Sequence, residues 1–455
     1  MRIGLIAMSG VRVKSAELAA LGVTLPGFVR RGKVIASLPS LGLLTVAGLT
    51  PAQHDVTYLE VADLRSQPIL PDFDLVAISS MTAQIEEAYA IADLYRARGT
   101  RVVMGGLHVS QLPDEALAHA DSVIRFGAEG AWPLVVKDAE QNALKRIYIG
   151  ATDAVFSPDL YATPRFEFLS GREYNRVTVQ TSRGCPRACE FCAASLRITS
   201  QFNQKPVARV IAEIRAAKRH VRRPYFEFAD DNTFLNRSWS KDLLRALRGE
   251  EIHYFTETDV SVADDPELCD LLAESGCRQV LIGLESPRAN DLNGIDPHSW
   301  KRRQAPRYRR VIDVLQSRGV SVNGCFILGL DSHTTDVFPD VLEFVRTSGL
   351  AEVQYTVLTP FPGTPLYERL RREGRLLKER FWDACTLFDV NFVPKKMTVQ
   401  ELEAGLHWLF RETYNREETR QRSRRFIEQA RAKENGISRE GDEGNEEKDQ
   451  LLETH

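Results

Sequence analysis

The chain has 455 residues and a formal net charge of −3; 43% of its residues are hydrophobic and 27% are charged. This length predicts about two or three domains, and the composition is ordinary for a globular protein. The near-neutral charge gives no reason to expect a nucleic-acid partner or a polybasic membrane patch. No apolar run approaches the roughly 18–20 residues of a membrane span. No charged region and cleavage site frame the short apolar start, so we expect no signal peptide and a cytoplasmic location.

The amino-terminal third, residues 1–145, alternates predicted strands with predicted helices. Strands are predicted at Arg2–Met8, residues 54–61, 74–79 and 101–104, and Ser122–Arg125. Helices are predicted at residues 38–49 and 82–98, the second ending before Gly99. This alternation predicts a doubly wound, flavodoxin- or Rossmann-like parallel sheet. Such sheets bind ligands at the carboxyl ends of their strands.

Loops at these strand ends carry candidate ligand-binding residues. They are Ser79, Ser80, Met81 and Thr82 after one strand, Gly105, Gly106 and His108 after the next, and Gly127 and Glu129 after the last. Glycines in such loops let a ligand approach the backbone closely. From these residues alone, a nucleotide-binding or purely structural domain remains an alternative.

Cys185, Cys189 and Cys192 form a C-x3-C-x2-C cluster. Three thiolates can converge on one metal centre, but a closed zinc or iron–sulfur site uses four ligands. A zinc site is an alternative, although the nearest histidines, His119 and His220, lie outside the cluster. The odd total of seven cysteines disfavours a disulfide framework. The other cysteines are predicted to be small buried apolar residues: Cys269, Cys277, Cys325 and Cys385.

The cysteine run resembles the signature of the radical S-adenosylmethionine (SAM) enzymes. The run from Ser79 to Gly130 resembles the cobalamin-binding domain that precedes the radical SAM domain in one large subfamily. The resemblance implies a 4Fe-4S cluster on the three cysteines, SAM bound to its open iron, and cobalamin on the loops named above. The Asp-x-His-x-x-Gly motif of many cobalamin proteins is absent from this domain. We therefore expect no protein histidine below the cobalt, and a loop or hydrogen-bonding role for His108.

Residues 176–365 again alternate strands and helices. Strands are predicted at residues 177–181, 224–229, 279–284 and 352–358, His253–Thr258 and Ser321–Leu328, and helices at Val207–His220, Pro266–Glu274 and residues 308–318. Six such units resemble the partial TIM-like (β/α)6 barrel of the radical SAM family. Barrel chemistry gathers at the carboxyl ends of the strands.

At those strand ends the resemblance implies a set of SAM-binding residues. It comprises Phe191 near the adenine, Asp230, Asp231 and Asn232 for the ammonium group, Glu257 and Glu285 near the ribose and methionine portions, Gly324 and Gly329 against the adenine, and Pro360 in a segment that closes over SAM. Each has a structural alternative: a core aromatic, a helix N-cap, a strand bulge or a rigid turn. No catalytic acid or hydrogen donor can be named from the sequence.

The remaining segments are a linker at residues 146–175, a small helical region at 366–415, and a charged helix with a disordered, acidic tail at 416–455. In the subfamily the helical region helps to wall the substrate site. Its aromatics are predicted to be core residues: Trp382, Trp408, Phe410 and Tyr414.

The resemblance implies radical methylation of an unactivated carbon of a natural product or lipid. One alternative is a cyclase or rearrangement enzyme that uses the same cofactors without methyl transfer. Another is a cobalamin-binding sensor or carrier without catalysis. The expected partners are a small-molecule substrate and an electron donor such as flavodoxin or ferredoxin, with no nucleic acid and no membrane span.

Overall fold

The computed structural model describes residues 1–8, 13–21, 38–61, 64, 70–153, 156–157, 160–172, 174–193, 199 and 201–438. Two six-stranded sheets dominate it, and every strand pair within them is parallel. The predicted α/β class, with a doubly wound domain followed by a partial barrel, is confirmed.

The first sheet has the strand order β2-β1-β3-β4-β5-β6. Its strands are β1 (Arg2–Met8), β2 (Asp55–Val61), β3 (Leu75–Ser79), β4 (Arg101–Gly105), β5 (Ser122–Arg125) and β6 (Ile147–Ile149). The helices around it are α1 (Ala16–Leu21), α2 (Leu41–Leu49), α3 (Ile85–Ala97), α4 (Leu107–Gln111), α5 (Pro113–Ala116) and α6 (Trp132–Glu140). The strand order reverses at β1, which is where doubly wound sheets bind ligands.

Several boundaries in this domain differ from the prediction, among them those of β6 and α2. The sixth strand, β6, lies inside the segment predicted to be a linker, so the sheet extends to Ile149. Three residues are too few to show a strand period. Helix α2 begins at Leu41 rather than at residue 38, because the Ser40 side chain caps it by accepting a hydrogen bond from the Leu43 N–H.

The second sheet has the order β14-β13-β12-β11-β10-β7 and forms the partial barrel. Its strands are β7 (Val177–Val179), β10 (Tyr225–Phe228), β11 (His253–Thr258), β12 (Cys277–Glu285), β13 (Ser321–Leu328) and β14 (Glu352–Val357), and a short antiparallel pair, β8 (Ser182–Arg183) and β9 (Asn203–Gln204), follows β7. The helices are α7 (Val207–His220), α8 (Arg237–Leu247), α9 (Pro266–Glu274), α10 (Trp300–Gln304), α11 (Tyr308–Gln316) and α12 (Val337–Thr347).

The carboxyl-terminal region contains α13 (Pro365–Arg372), α14 (Val399–Thr413) and α15 (Arg416–Ser438). It has no core of its own. Phe381 and Trp382 are buried in a core cluster of the first domain, and Phe388 and Phe410 are buried in the cluster that includes the barrel. Trp408 and Tyr414 are only partly buried. This region therefore ties the two domains together.

Helix α15 is less solvated than its charge suggests, since Arg422 is buried and donates to the Thr413 carbonyl oxygen at 2.7 Å. The tail beyond residue 438, predicted to be disordered, lies outside the described residues. Within the described part of the chain, no helix is both long enough and apolar enough to cross a membrane.

Candidate active site between the two domains

The carboxyl ends of both sheets open onto one cavity of about 390 Å³. The first domain contributes strand-end residues and apolar residues of α2, including Leu41 and Leu43. The barrel contributes Gln180, Arg183 and Asp231, which follow β7 and β10. A ligand in this cavity would therefore contact both domains.

Five of the nine residues predicted to bind cobalamin line this cavity: Ser79, Gly105, Gly106, Gly127 and Glu129. Gly106 has φ +110°, and a Cβ there would lie 3.2 Å from Ser79 Oγ. A Cβ on Gly127 would overlap the Glu129 carboxylate and lie 3.0 Å from the Ala151 carbonyl oxygen. Only glycine therefore fits these two positions without displacing neighbours.

The other four predicted residues do not line the cavity: Ser80, Met81, Thr82 and His108. Met81 is 57% exposed. His108 is buried, with Nε2 3.3 Å from Glu115 Oε1 and its ring 5.3 Å from that of Trp382. The loop after β4 turns this side chain toward the carboxyl-terminal region. No histidine is found among the described residues that line the cavity.

An ion pair between the two domains, which the sequence did not reveal, lies in the cavity wall. Arg183 donates to Glu129 through Nη2 at 2.9 Å and Nη1 at 3.3 Å, and its Nη2 also donates to Gln180 Oε1 at 2.9 Å. Both charged side chains are largely buried. Glu129 is thus neutralised by the barrel rather than left open to a ligand.

The three clustered cysteines lie on the loop that follows β8. Gly184 opens this loop with φ +96°, and its N–H donates to Asp231 Oδ2 at 2.9 Å. Cys189 is buried, while Cys185 and Cys192 are half-buried, and none of the three forms a disulfide. Burial raises the pKa of the Cys185 thiol and raises that of Cys189 to about 11.

Three thiol donors on one short loop suit an iron–sulfur cluster. Across the described residues, no three Cys, His, Asp or Glu side chains converge closely enough to hold one metal ion. A four-iron cluster needs less convergence, because each thiolate binds a different iron. It also supplies positive charge that offsets the burial of the thiolates.

Three residues after β10, Asp230, Asp231 and Asn232, have different roles. Asp230 is buried and accepts hydrogen bonds from the Thr181 N–H (2.7 Å), the Ser182 N–H (2.9 Å) and the Thr233 hydroxyl (3.1 Å). Burial raises its pKa despite these bonds. Asp230 therefore anchors the chain that leads to the cysteines, and its oxygens do not face an open site.

Asp231 and Asn232 point to opposite sides. Asp231 lines the cavity while it holds Gly184. Asn232 donates to Asp259 Oδ2 at 2.8 Å, and Arg187 of the cysteine loop donates to the same oxygen at 2.8 Å. Of the three residues, Asp231 is the one that lines the cavity.

Glu285 forms a buried ion pair with Lys301, which the sequence did not reveal. Lys301 also donates to the Gly283 carbonyl oxygen at 2.8 Å. Burial opposes the Lys301 charge, but the Glu285 carboxylate raises its pKa above the usual range. Because Lys301 neutralises it, Glu285 is less available for SAM than expected.

Glu257 lies near the end of β11, where its side chain is exposed to solvent although protein atoms surround it. Desolvation by the surrounding protein, together with the nearby Glu227 and Asp231 carboxylates, raises the pKa of Glu257 to about 8. This carboxyl group is therefore mostly protonated at neutral pH, and it can donate as well as accept a hydrogen bond.

The remaining residues predicted to bind SAM all pack against neighbouring protein atoms: Gly324, Gly329, Phe191 and Pro360. A Cβ on Gly324 would lie 2.8 Å from Leu350 Cδ1, and one on Gly329 would lie 2.9 Å from Leu402 Cδ2. Close packing therefore requires glycine at both positions, and their predicted contact with SAM stays a prediction. Phe191 is half-buried and packs against the core, and Pro360 is buried.

Comparison with known proteins agrees with this two-domain site. Residues 29–136 match the B12 binding domain family, and residues 179–345 match the radical SAM superfamily. Residues 364–451 match a domain of unknown function (DUF4070). Together, the first two families imply a 4Fe-4S cluster, SAM and cobalamin as cofactors.

Two curated relatives are named for methyl transfer. Bacteriochlorophyllide d C-12(1)-methyltransferase of Chlorobaculum tepidum is 28% identical over 390 residues, covering 83% of each chain. Hopanoid C-2 methylase of Rhodopseudomonas palustris is 27% identical over 357 residues, covering 76% of this chain and 67% of that protein.

A solved structure shares the fold. The radical SAM methyltransferase TsrM of Kitasatospora setae, with cobalamin and a [4Fe-4S] cluster bound, superposes with a TM-score of 0.61 at 16% identity. The match covers 82% of this chain and 78% of that one. The chain therefore contains a B12-binding domain followed by a radical SAM domain.

Proposed function

We propose that this enzyme methylates an unactivated carbon of a small-molecule natural product or lipid. The observation that carries the proposal is the shared cavity. Strand-end glycines of the B12-binding domain line one side of it, and Arg183 and Asp231, beside the cysteine loop, line the other. The curated relatives add support, since each is named for methyl transfer at a numbered carbon of its substrate.

Bound together, the cluster and SAM supply the one-electron chemistry that opens a C–H bond, and cobalamin supplies the transfer of a methyl group. Cys185, Cys189 and Cys192 would hold the cluster as thiolates. Asp231 would accept hydrogen bonds from the SAM ammonium group. Gly106 and Gly127 line the cavity, and a side chain at either position would crowd Ser79 or Glu129 at its wall.

The cavity walls would also protect the reaction. Leu41 and Leu43 line the side formed by α2. Apolar walls exclude water, which limits side reactions of a radical. The Arg183–Glu129 pair joins the two domains at this wall, so it would hold both cofactors in one closed space. The predicted electron donor, the cytoplasmic location and the absence of a nucleic-acid partner remain parts of this proposal.

Anaerobic product analysis tests the proposal. Purified enzyme with rebuilt cluster and added cobalamin would receive SAM and a low-potential reductant, and nucleosides would be measured by mass spectrometry. We expect both 5′-deoxyadenosine and S-adenosylhomocysteine. Cys185→Ala should abolish the 5′-deoxyadenosine, whereas Cys269→Ala, a buried cysteine outside the cluster, should preserve it.

The two alternatives give different products. A cyclase or rearrangement enzyme would form 5′-deoxyadenosine without S-adenosylhomocysteine. A cobalamin-binding sensor would form neither nucleoside. Either result would contradict the methyltransferase proposal.

A further inference from the structure

A short segment that includes α10 covers the outer side of the cysteine loop. The Ile295 carbonyl oxygen accepts from the Glu190 N–H at 2.9 Å. The Trp300 ring lies 3.7 Å from the Arg187 guanidinium. Lys301 is close enough to Cys189 to affect the pKa of its thiol. The segment thus packs directly on the loop that carries the candidate cluster ligands.

The outer face of α10 is positively charged, although the whole chain carries a net charge of −3. Residues 301–310 contain six basic residues and no acidic residue. Lys301 is paired with Glu285, and Arg307 is paired with Asp264.

Arg302 and Arg303 differ from these paired cations. Both are exposed, and neither has an ion-pair partner in the described ranges of the chain. Among the described residues, the Arg303 guanidinium donates only to the His298 carbonyl oxygen. Two uncompensated positive charges therefore lie beside the cysteine loop.

Other faces of the cysteine loop are less suited to an external partner. The face toward Arg183 and Asp231 opens into the interdomain cavity. The face at Glu190 is charge-balanced: Arg369 pairs with Glu190 at 2.8 Å and with Asp331 at 2.7 Å, and Lys395 pairs with Asp331 at 2.8 Å.

We propose that the exposed face of α10, centred on Arg302 and Arg303, docks a small acidic one-electron carrier. The proposal rests on the proposed function, because radical SAM chemistry requires an electron to reach the cluster. One electron leaves the reduced carrier and enters the oxidised cluster, and no bond forms or breaks. Opposite charge at this face would steer the carrier to a segment that packs on the cysteine loop.

Charge reversal at two pairs of adjacent arginines tests this surface. Arg302→Glu with Arg303→Glu removes the proposed contact. Arg222→Glu with Arg223→Glu makes the same change in net charge at exposed residues just before β10, at the opposite end of the barrel. The affinity of oxidised flavodoxin would be measured by calorimetry on enzyme with rebuilt cluster, at low and at physiological salt.

We expect the first double variant to raise Kd about tenfold at low salt, with a smaller effect at higher salt. The control variant should stay within about twofold of the unmodified enzyme. Three results would overturn the proposal. The affinity could fall equally in both variants, it could stay unchanged in the first variant, or the unmodified enzyme could bind neither flavodoxin nor ferredoxin.

Reduction kinetics separate this proposal from the proposed function. Cluster reduction by reduced flavodoxin should slow about tenfold in the first variant, whereas reduction by the methyl viologen radical should not change. If viologen-reduced enzyme fails to cleave SAM, the proposed function fails, and the binding measurement still decides the docking surface.

Discussion

Arg183 and Glu129 join the cysteine loop to the B12-binding domain through two hydrogen bonds of 2.9 and 3.3 Å. Arg183 lies two residues before Cys185 in the chain, and Glu129 belongs to a strand-end loop of the first sheet. Both line the interdomain cavity. The pair therefore couples the walls of the two candidate cofactor sites.

Arg183→Gln should destabilise the protein and weaken cobalamin binding. It leaves the buried Glu129 carboxylate without its cation, which typically costs about 3–5 kcal/mol. Urea unfolding of the cofactor-free protein and titration with cobalamin would measure the two effects. The double variant with Glu129→Gln should recover most of the unfolding free energy. If the double variant has the same unfolding free energy as Arg183→Gln alone, the two side chains do not act as a pair.

Gly127→Ala should weaken cobalamin binding at least tenfold while leaving cluster assembly intact. The added methyl group would displace the Glu129 carboxylate and crowd the Ala151 carbonyl oxygen at the cavity wall. Cobalamin affinity would be followed by absorbance, and cluster content by iron analysis. Gly249→Ala is the matched control, since a Cβ there would meet no atom within 4 Å. Unchanged affinity in Gly127→Ala would place cobalamin elsewhere.

The strands of both sheets could be predicted because parallel strands buried on both faces form continuous apolar runs. β5, β11 and β13 have the predicted boundaries, whereas the three residues of β6 show no pattern. Strand-end loops were likewise predictable as the site, since that position follows from the parallel fold.

Side-chain partners could not be predicted in the same way. Arg183 and Glu129 are 54 residues apart, and Glu285 and Lys301 are 16 apart on different elements. Sequence spacing therefore gave no sign of either pair. The sequence could also not show that Gly324 and Gly329 make room for Leu350 and Leu402, because a glycine leaves the same signal beside a ligand as beside a packed side chain.

Glu257 should make stability depend on pH. Its folded-state pKa of about 8 lies above the ordinary value of 4.5, because the surrounding protein and the Glu227 and Asp231 carboxylates disfavour its charged form. Between these values the unfolded chain releases a proton that the folded protein keeps. Stability should therefore fall as pH rises from about 4.5 to 8 and then level off.

Glu257→Gln should remove this part of the pH dependence. Unfolding free energies at pH 5.5, 7 and 8.5 would measure it, and Glu403→Gln, at an exposed position on α14, controls for the loss of a carboxylate. The control should follow the pH profile of the unmodified protein. A Glu257→Gln profile identical to that of the unmodified protein would mean that Glu257 titrates normally.

His108→Leu should lower stability without changing the visible spectrum of bound cobalamin. His108 is buried against Glu115, whose pKa lies at about 2 because hydrogen bonds from His108, Trp382 and Tyr89 outweigh the effect of burial. Loss of a hydrogen bond to this carboxylate should cost about 1–3 kcal/mol in urea unfolding at pH 7. The cobalamin spectrum reports the ligands of cobalt, and His108 lies outside the cavity lining. A spectral shift in this variant would instead place His108 at the cobalt.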